Sequence, residues 1–150
     1  MENILALDIG LKRIGIAVCL QGIVIPHTPI LRRNRNQAAK EVSQILNEKQ
    51  PKIIVVGIPE GGSTSEEMAK RIKHFVGLLK IPQNTKIIFV DEAYSSFEAG
   101  QRMQGSKKIR KKDGSLDSLA AMIILERYLR EVHTINEQET KQEVFHSGAN

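Results

Sequence analysis

The chain is poor in the residues that staple, stack or span. A single cysteine, Cys19, stands among 150 residues, so no internal disulfide can form and a reducing compartment is expected. Cys19 lies in an apolar, strand-like run and reads as packing. No apolar run approaches the roughly 20 residues of a membrane span, and no basic segment precedes an apolar core at the N-terminus. The expectation is a soluble, cytoplasmic protein with neither signal peptide nor transmembrane helix. Four Phe and two Tyr are all the aromatics, which lends nothing to a base-stacking platform. His27, His74, His133 and His146 show no ligand-like spacing, so no imidazole metal site is indicated. Internal repeats and interior linkers are lacking as well.

What the chain does have is carboxylates at the ends of apolar elements. Asp8 interrupts Ile4-Leu5-Ala6-Leu7-Asp8-Ile9-Gly10, and a second apolar run, Ile14-Gly15-Ile16-Ala17-Val18, follows at once. Ile87-Ile88-Phe89-Val90 runs into Asp91-Glu92, and Asp117 opens Leu119-Ala120-Ala121-Met122-Ile123-Ile124-Leu125. An isolated charge is costly to desolvate, so acids converging from core elements hold a cation or carry out proton chemistry. Oxygen donors of this kind suit Mg²⁺ or Mn²⁺. Each acid also has a plainer reading: Asp117 as a helix-dipole partner and Asp91-Glu92 as a solvated loop entry.

Charge points the same way. The total is modest, 22 Lys and Arg against 17 Asp and Glu for a net +5, but Lys107-Lys108-Ile109-Arg110-Lys111-Lys112 is almost wholly basic. It sits between Gly105-Ser106 and Asp113-Gly114, which mark a loop. Such a run attracts a polyanion, and phosphate contacts beside acidic metal ligands would place a scissile bond. Its plainer reading is a solvated loop.

Periodicity predicts three short strands over residues 3–9, 13–20 and 23–30, with Gly10 and Gly22 in the connections, and hence an antiparallel meander. Residues 32–36 read as a polar link. Ala38, Val42, Ile45 and Leu46 have helical spacing within 37–49, and 52–56 reads as a buried strand. After a glycine-rich loop at 57–62, Thr64 and Glu67 fit a capping box ahead of a helix with Met68, Ile72, Phe75, Val76 and Leu79 on one stripe. A fifth strand covers 86–90, a short helix lies near 95–104, and Ser115 caps a last helix reaching about Val132. This order predicts an α/β domain: a mixed five-stranded sheet, meander plus parallel crossovers, with helices on both faces. The domain spans residues 1–132, and the polar residues 133–150 form a flexible tail.

Four motifs together resemble the YqgF family of Holliday-junction-resolvase-like proteins. They are Leu7-Asp8-Ile9-Gly10-Leu11-Lys12-Arg13-Ile14-Gly15-Ile16-Ala17, Val56-Gly57-Ile58-Pro59, Asp91-Glu92 and Asp117-Ser118-Leu119-Ala120-Ala121-Met122-Ile123-Ile124-Leu125. The resemblance implies an RNase H-like fold, a bacterial cytoplasmic location and a nuclease for the 5′ end of precursor 16S rRNA, with Holliday junction resolution as the older proposal. The family's acidic positions fall on Asp8, Glu92 and Asp117, which the resemblance implies are catalytic metal ligands; on the chemistry of a two-ion site Asp8 is the candidate bridging ligand, with Asp91 or Asp113 as a further ligand or water-positioning acid. Lys12, Arg13, Lys107, Lys108, Arg110, Lys111 and Lys112 would hold the nucleic-acid backbone. The chain departs from the family at Ala93, where an arginine is usual, while Ser95 and Ser96 keep the hydroxyls of the family's threonines.

Other classes stay open. Asp-Ile-Gly before a glycine-bearing hairpin also resembles the phosphate-binding start of the actin and sugar-kinase ATPases, although those need two lobes. A non-catalytic RNA-binding or ribosome-associated module is the other alternative. RNA or branched DNA as substrate, contact with ribosomal particles, and monomer or homodimer are all compatible with the residues.

Overall fold

Three consecutive strands precede alternating helix and strand, and the computed structural model describes residues 3–59, 63–91 and 118–133. β1 (Ile4–Ile9), β2 (Arg13–Leu20) and β3 (Ile23–Leu31) form the meander. The turn between β2 and β3 consists of Gln21 and Gly22, both at positive φ (53° and 83°), the backbone that matches a two-residue hairpin to strand twist. At the other hairpin the Gly10 N–H donates to the Arg13 carbonyl at 2.9 Å. A Cβ on Gly10 would lie 2.8 Å from that carbonyl oxygen, so the turn requires glycine.

α1 spans Arg35–Lys49, two residues earlier than the apolar stripe predicts. Asn34 is its cap: the Asn34 side chain accepts from the Gln37 N–H at 2.8 Å, and the Gln37 side chain accepts from the Asn34 N–H at 3.3 Å. This reciprocal box satisfies two orphan donors and converts the expected polar link into the helix start. The helix ends at Gln50 in the left-handed region, whose N–H donates to Leu46. β4 is Ile53–Ile58, α2 is Ser63–Gly77 and β5 is Lys86–Asp91. α2 begins at Ser63, one residue before Thr64. The last helix, α3, runs through residues 118–133. The helix expected near 95–104 and the tail from 134 onward lie outside the described residues.

The strand order is β3-β2-β1-β4-β5, antiparallel among β1, β2 and β3 and parallel from β1 through β4 to β5. The mixed five-stranded sheet with helices on both faces is therefore as predicted. Pleat alternation divides the core in two. Leu5, Leu7, Ile14, Ile16, Ile54 and Val56 pack with Ala38, Val42, Leu46, Ile72 and Phe75 from α1 and α2. Ile4, Ala6, Ala17, Cys19 and Val55 pack with Ala121, Ile124, Leu125 and Tyr128 from α3. Cys19 is buried and free, as its apolar context implied. Because apolar burial is the dominant favourable term in folding, a central strand covered on both faces is a firm place from which to hold a polar group.

Candidate active site

Asp8 occupies that place. It is the half-buried position in an otherwise buried β1, and its alternation with Ile4 and Ala6 puts it on the α3 face. Its cross-strand partner on β2 is Gly15. On the other side, Leu7 pairs with Val56, so the next residues along are Asp8 and Gly57, and Gly57 pairs with Val90 of β5. Across the sheet the row reads Gly15, Asp8, Gly57, Val90. The cross-strand position beside Asp8 is thus a glycine on each neighbouring strand.

α3 is pinned close to this row. The pairs Ile14 with Ile30 and Ile16 with His27 leave Gly15 opposite both Thr28 and Pro29, a bulge in β3. Bulges free ladder groups, and the Ser118 hydroxyl donates to the His27 carbonyl there. Ser118 is completely buried and follows Asp117 directly in sequence. At the far edge, the Arg127 guanidinium donates to the Asp91 carbonyl at 2.9 Å. α3 therefore crosses the face diagonally, fixed to β3 at one end and to the last residue of β5 farther along.

The neighbouring acids separate by face. Asp91 alternates with Ile87, which packs against the α1/α2 core, and with Phe89, whose ring lies 5.6 Å below the Lys73 ammonium of α2. By this alternation it belongs to the face opposite Asp8. Arg13 shares the alternation of Gly15 and Ala17 and so the face of Asp8, while Lys12 is exposed in the turn. Glu92, Asp117, Asp113, Lys107, Lys108, Arg110, Lys111 and Lys112 lie outside the described residues. Among the described residues no group of three or more His, Cys, Asp or Glu comes together to hold a metal.

Arg32 was read only as part of a polar link, yet it buttresses the same turn from the other face. Its backbone N–H donates to the Lys12 carbonyl at 2.8 Å and its guanidinium to the Gly10 carbonyl at 2.6 Å. The guanidinium also stacks over Phe75 of α2 at 5.1 Å. Burial, and next the charge of Arg35, lower its pKa from the usual value, although an arginine remains protonated under such conditions.

Sheet order and helix placement put the protein in the RNase H-like class to which the junction resolvases belong. Thermus thermophilus RuvC in complex with a Holliday junction substrate superposes with a TM-score of 0.54 at 13% identity, covering 87% of this chain and 96% of that one. The fowlpox virus resolvase bound to substrate Holliday junction DNA gives 0.51 at 16% identity, covering 85% and 98%. At these identities the likeness is one of fold. Sequence narrows it: the profile of the RuvX family, described as Holliday junction resolvase, matches residues 2–131, and the chain belongs to that family. The resemblance to YqgF-type proteins is thereby borne out. A relative from Sulfurovum sp. is 54% identical over 125 residues, 83% of this chain and 95% of its own length. One from Helicobacter pylori is 44% identical over 133 residues, covering 86% and 96%. Both carry the name "Putative pre-16S rRNA nuclease".

Proposed function

We propose that the protein is a metal-dependent nuclease that hydrolyses phosphodiester bonds in processing the 5′ end of precursor 16S rRNA, in the cytoplasm. The observation that carries the catalytic part is Asp8, a half-buried carboxylate on the central strand with glycine at the flanking position on each neighbouring strand. Hard oxygen donors on a rigid central strand fit Mg²⁺ or Mn²⁺. Asp8, Glu92 and Asp117 would hold the ion or ions. When bound, such ions generate the water nucleophile and stabilise the leaving oxygen. Asp8 contributes a fixed negative charge whose position does not depend on loop conformation. Arg13, on the Asp8 face, and Lys12 would bind backbone phosphates beside the site, joined by Lys107, Lys108, Arg110, Lys111 and Lys112.

The names of the curated relatives support the ribosomal RNA substrate, and association with ribosomal particles follows from that reading. The family description favours a second one, resolution of branched DNA. A resolvase cuts a symmetric junction and requires a two-fold dimer, whereas a trimming nuclease can act as a monomer. No described helix is long and apolar enough to cross a membrane.

The test is cleavage of a labelled precursor 16S 5′ fragment, single-stranded RNA and a four-way DNA junction with Mg²⁺ or Mn²⁺. Metal-dependent cutting is expected, and it is abolished in Asp8→Asn while the circular dichroism spectrum is unchanged. Preference for the precursor supports RNA maturation, and preference for the junction supports resolution. Binding without cutting by both proteins would replace the enzyme with a binding module.

A further inference from the structure

Back to back with Asp8, on the α1/α2 face, a cavity of about 200 Å³ opens at the same end of β1. Three cations line it, Arg32, Arg35 and Arg71, together with apolar surface from Leu11, Met68 and Phe75. They come from three separate elements: the end of the meander, the first residue of α1, and the middle of α2. No ion pair among the described residues engages any of the three. The first turn of α1 carries no acid and begins with Arg35, where the helix dipole favours an anion and a cation is unfavourable. Like charges gathered around one cavity repel, and the core beneath them weakens solvent screening. Such an arrangement is unfavourable when empty and complementary to a small multivalent anion.

We infer that the cavity lined by Arg32, Arg35 and Arg71 is a phosphate-binding site that holds a backbone phosphate of the substrate strand away from the scissile bond. Guanidinium forks match phosphate oxygens in pairs. Arg32 is pre-positioned by its bond to the Gly10 carbonyl and by Phe75, so its orientation is set before a ligand arrives. Arg35 and Arg71 are exposed and can close on the ligand from opposite helices. The apolar half of the lining suits the sugar that a backbone phosphate brings with it. Ile9 lines the cavity and is the residue next to Asp8, so a strand wrapping the end of β1 reaches both sites. The strand as the source of the phosphate rests on the nucleic-acid reading above; the site itself does not.

The test uses the full chain, wild type, Arg35→Gln/Arg71→Gln and Asp8→Asn, with folding checked by circular dichroism. Arg32 is left in place because it braces the turn. Inorganic phosphate is titrated while the arginine Nε–Hε resonances are followed by NMR, and single-stranded RNA affinity is measured by fluorescence anisotropy across a salt series. Phosphate is expected to shift arginine resonances in wild type and Asp8→Asn, with the shift lost in the double variant. RNA Kd is expected to rise about tenfold or more in the double variant, with the salt slope reduced by about 1.4, roughly 0.7 per phosphate contact on a single strand. Cleavage at saturating RNA stays near wild type, because the residues act on binding. Phosphate shifts with unchanged RNA affinity and slope would overturn the strand assignment in favour of a free phosphate or nucleotide. Absence of any phosphate-dependent shift would overturn the site. A protein that cuts nothing, yet shows the arginine-dependent binding, refutes the nuclease reading and leaves the phosphate site standing.

Discussion

Replacing Ser118 with alanine tests whether α3 is held to the sheet by the bond described above. The Ser118 hydroxyl is completely buried and donates to the carbonyl of His27, 91 residues away in sequence. The substitution removes little volume but leaves the His27 carbonyl without this donor. An acceptor stranded away from water costs about 1–3 kcal/mol, and because the bond is only partly buried the lower half of that range is expected. For a chain of this size each kcal/mol lowers Tm by about 2–4 °C, so a drop of roughly 2–8 °C follows. Urea denaturation should show a lower midpoint with unchanged slope, the signature of lost stability without altered compactness. Because Asp117 precedes Ser118 directly, the rate of cleavage at saturating substrate should fall more than RNA affinity does. A loss under about 0.3 kcal/mol would refute the reasoning, since it would mean that water serves the carbonyl equally well and that packing alone places α3.

Other perturbations discriminate further. Gly10→Ala puts a Cβ 2.8 Å from the Arg13 carbonyl oxygen and should destabilise by about 1–3 kcal/mol, the usual range for overpacking, read as a lower urea midpoint. Asn34→Ala removes the side-chain acceptor of the α1 cap and should cost about 1 kcal/mol, whereas Asn34→Gly should cost only a few tenths; a matched loss in both would mean the side-chain bond is immaterial. Neutralising Lys107, Lys108, Lys111 and Lys112 together should weaken RNA binding at low salt and flatten its salt dependence, measured by anisotropy, with little change in Tm.

The strands were legible because their signals are local. The meander, the two parallel strands and the stripes of α1 and α2 follow from alternation and spacing, and Asp8 stood out because a carboxylate in an apolar strand is expensive. The start of α1 escaped because Arg32 to Asn36 is polar throughout, although the pattern Asn34-x-x-Gln37 was there to mark a capping box. Thr64 and Glu67 offered the same pattern, and α2 starts at Ser63, one residue ahead of Thr64. The glycines on either side of Asp8 were not legible as a pair. Gly15 and Gly57 are 42 positions apart, and only the register of three strands brings them to one row. The same holds for Arg32, Arg35 and Arg71, which meet because α1 and α2 pack on one face. The bulge that frees the His27 carbonyl depends on one extra residue in β3, and no local motif announces it.

The order β3-β2-β1-β4-β5 gives the molecule a mechanical asymmetry. β1 alone joins the antiparallel half of the sheet to the parallel half, so its amides should be the last to exchange with solvent and should report the global unfolding free energy. β3 and β5, at the two edges, each pair with a single neighbour, so their amides should exchange ahead of those of β1. Asp8 is thus the datum point of the site: thermal fluctuations move other groups relative to it, and evolution can remodel the surroundings of the carboxylate without relocating the carboxylate itself.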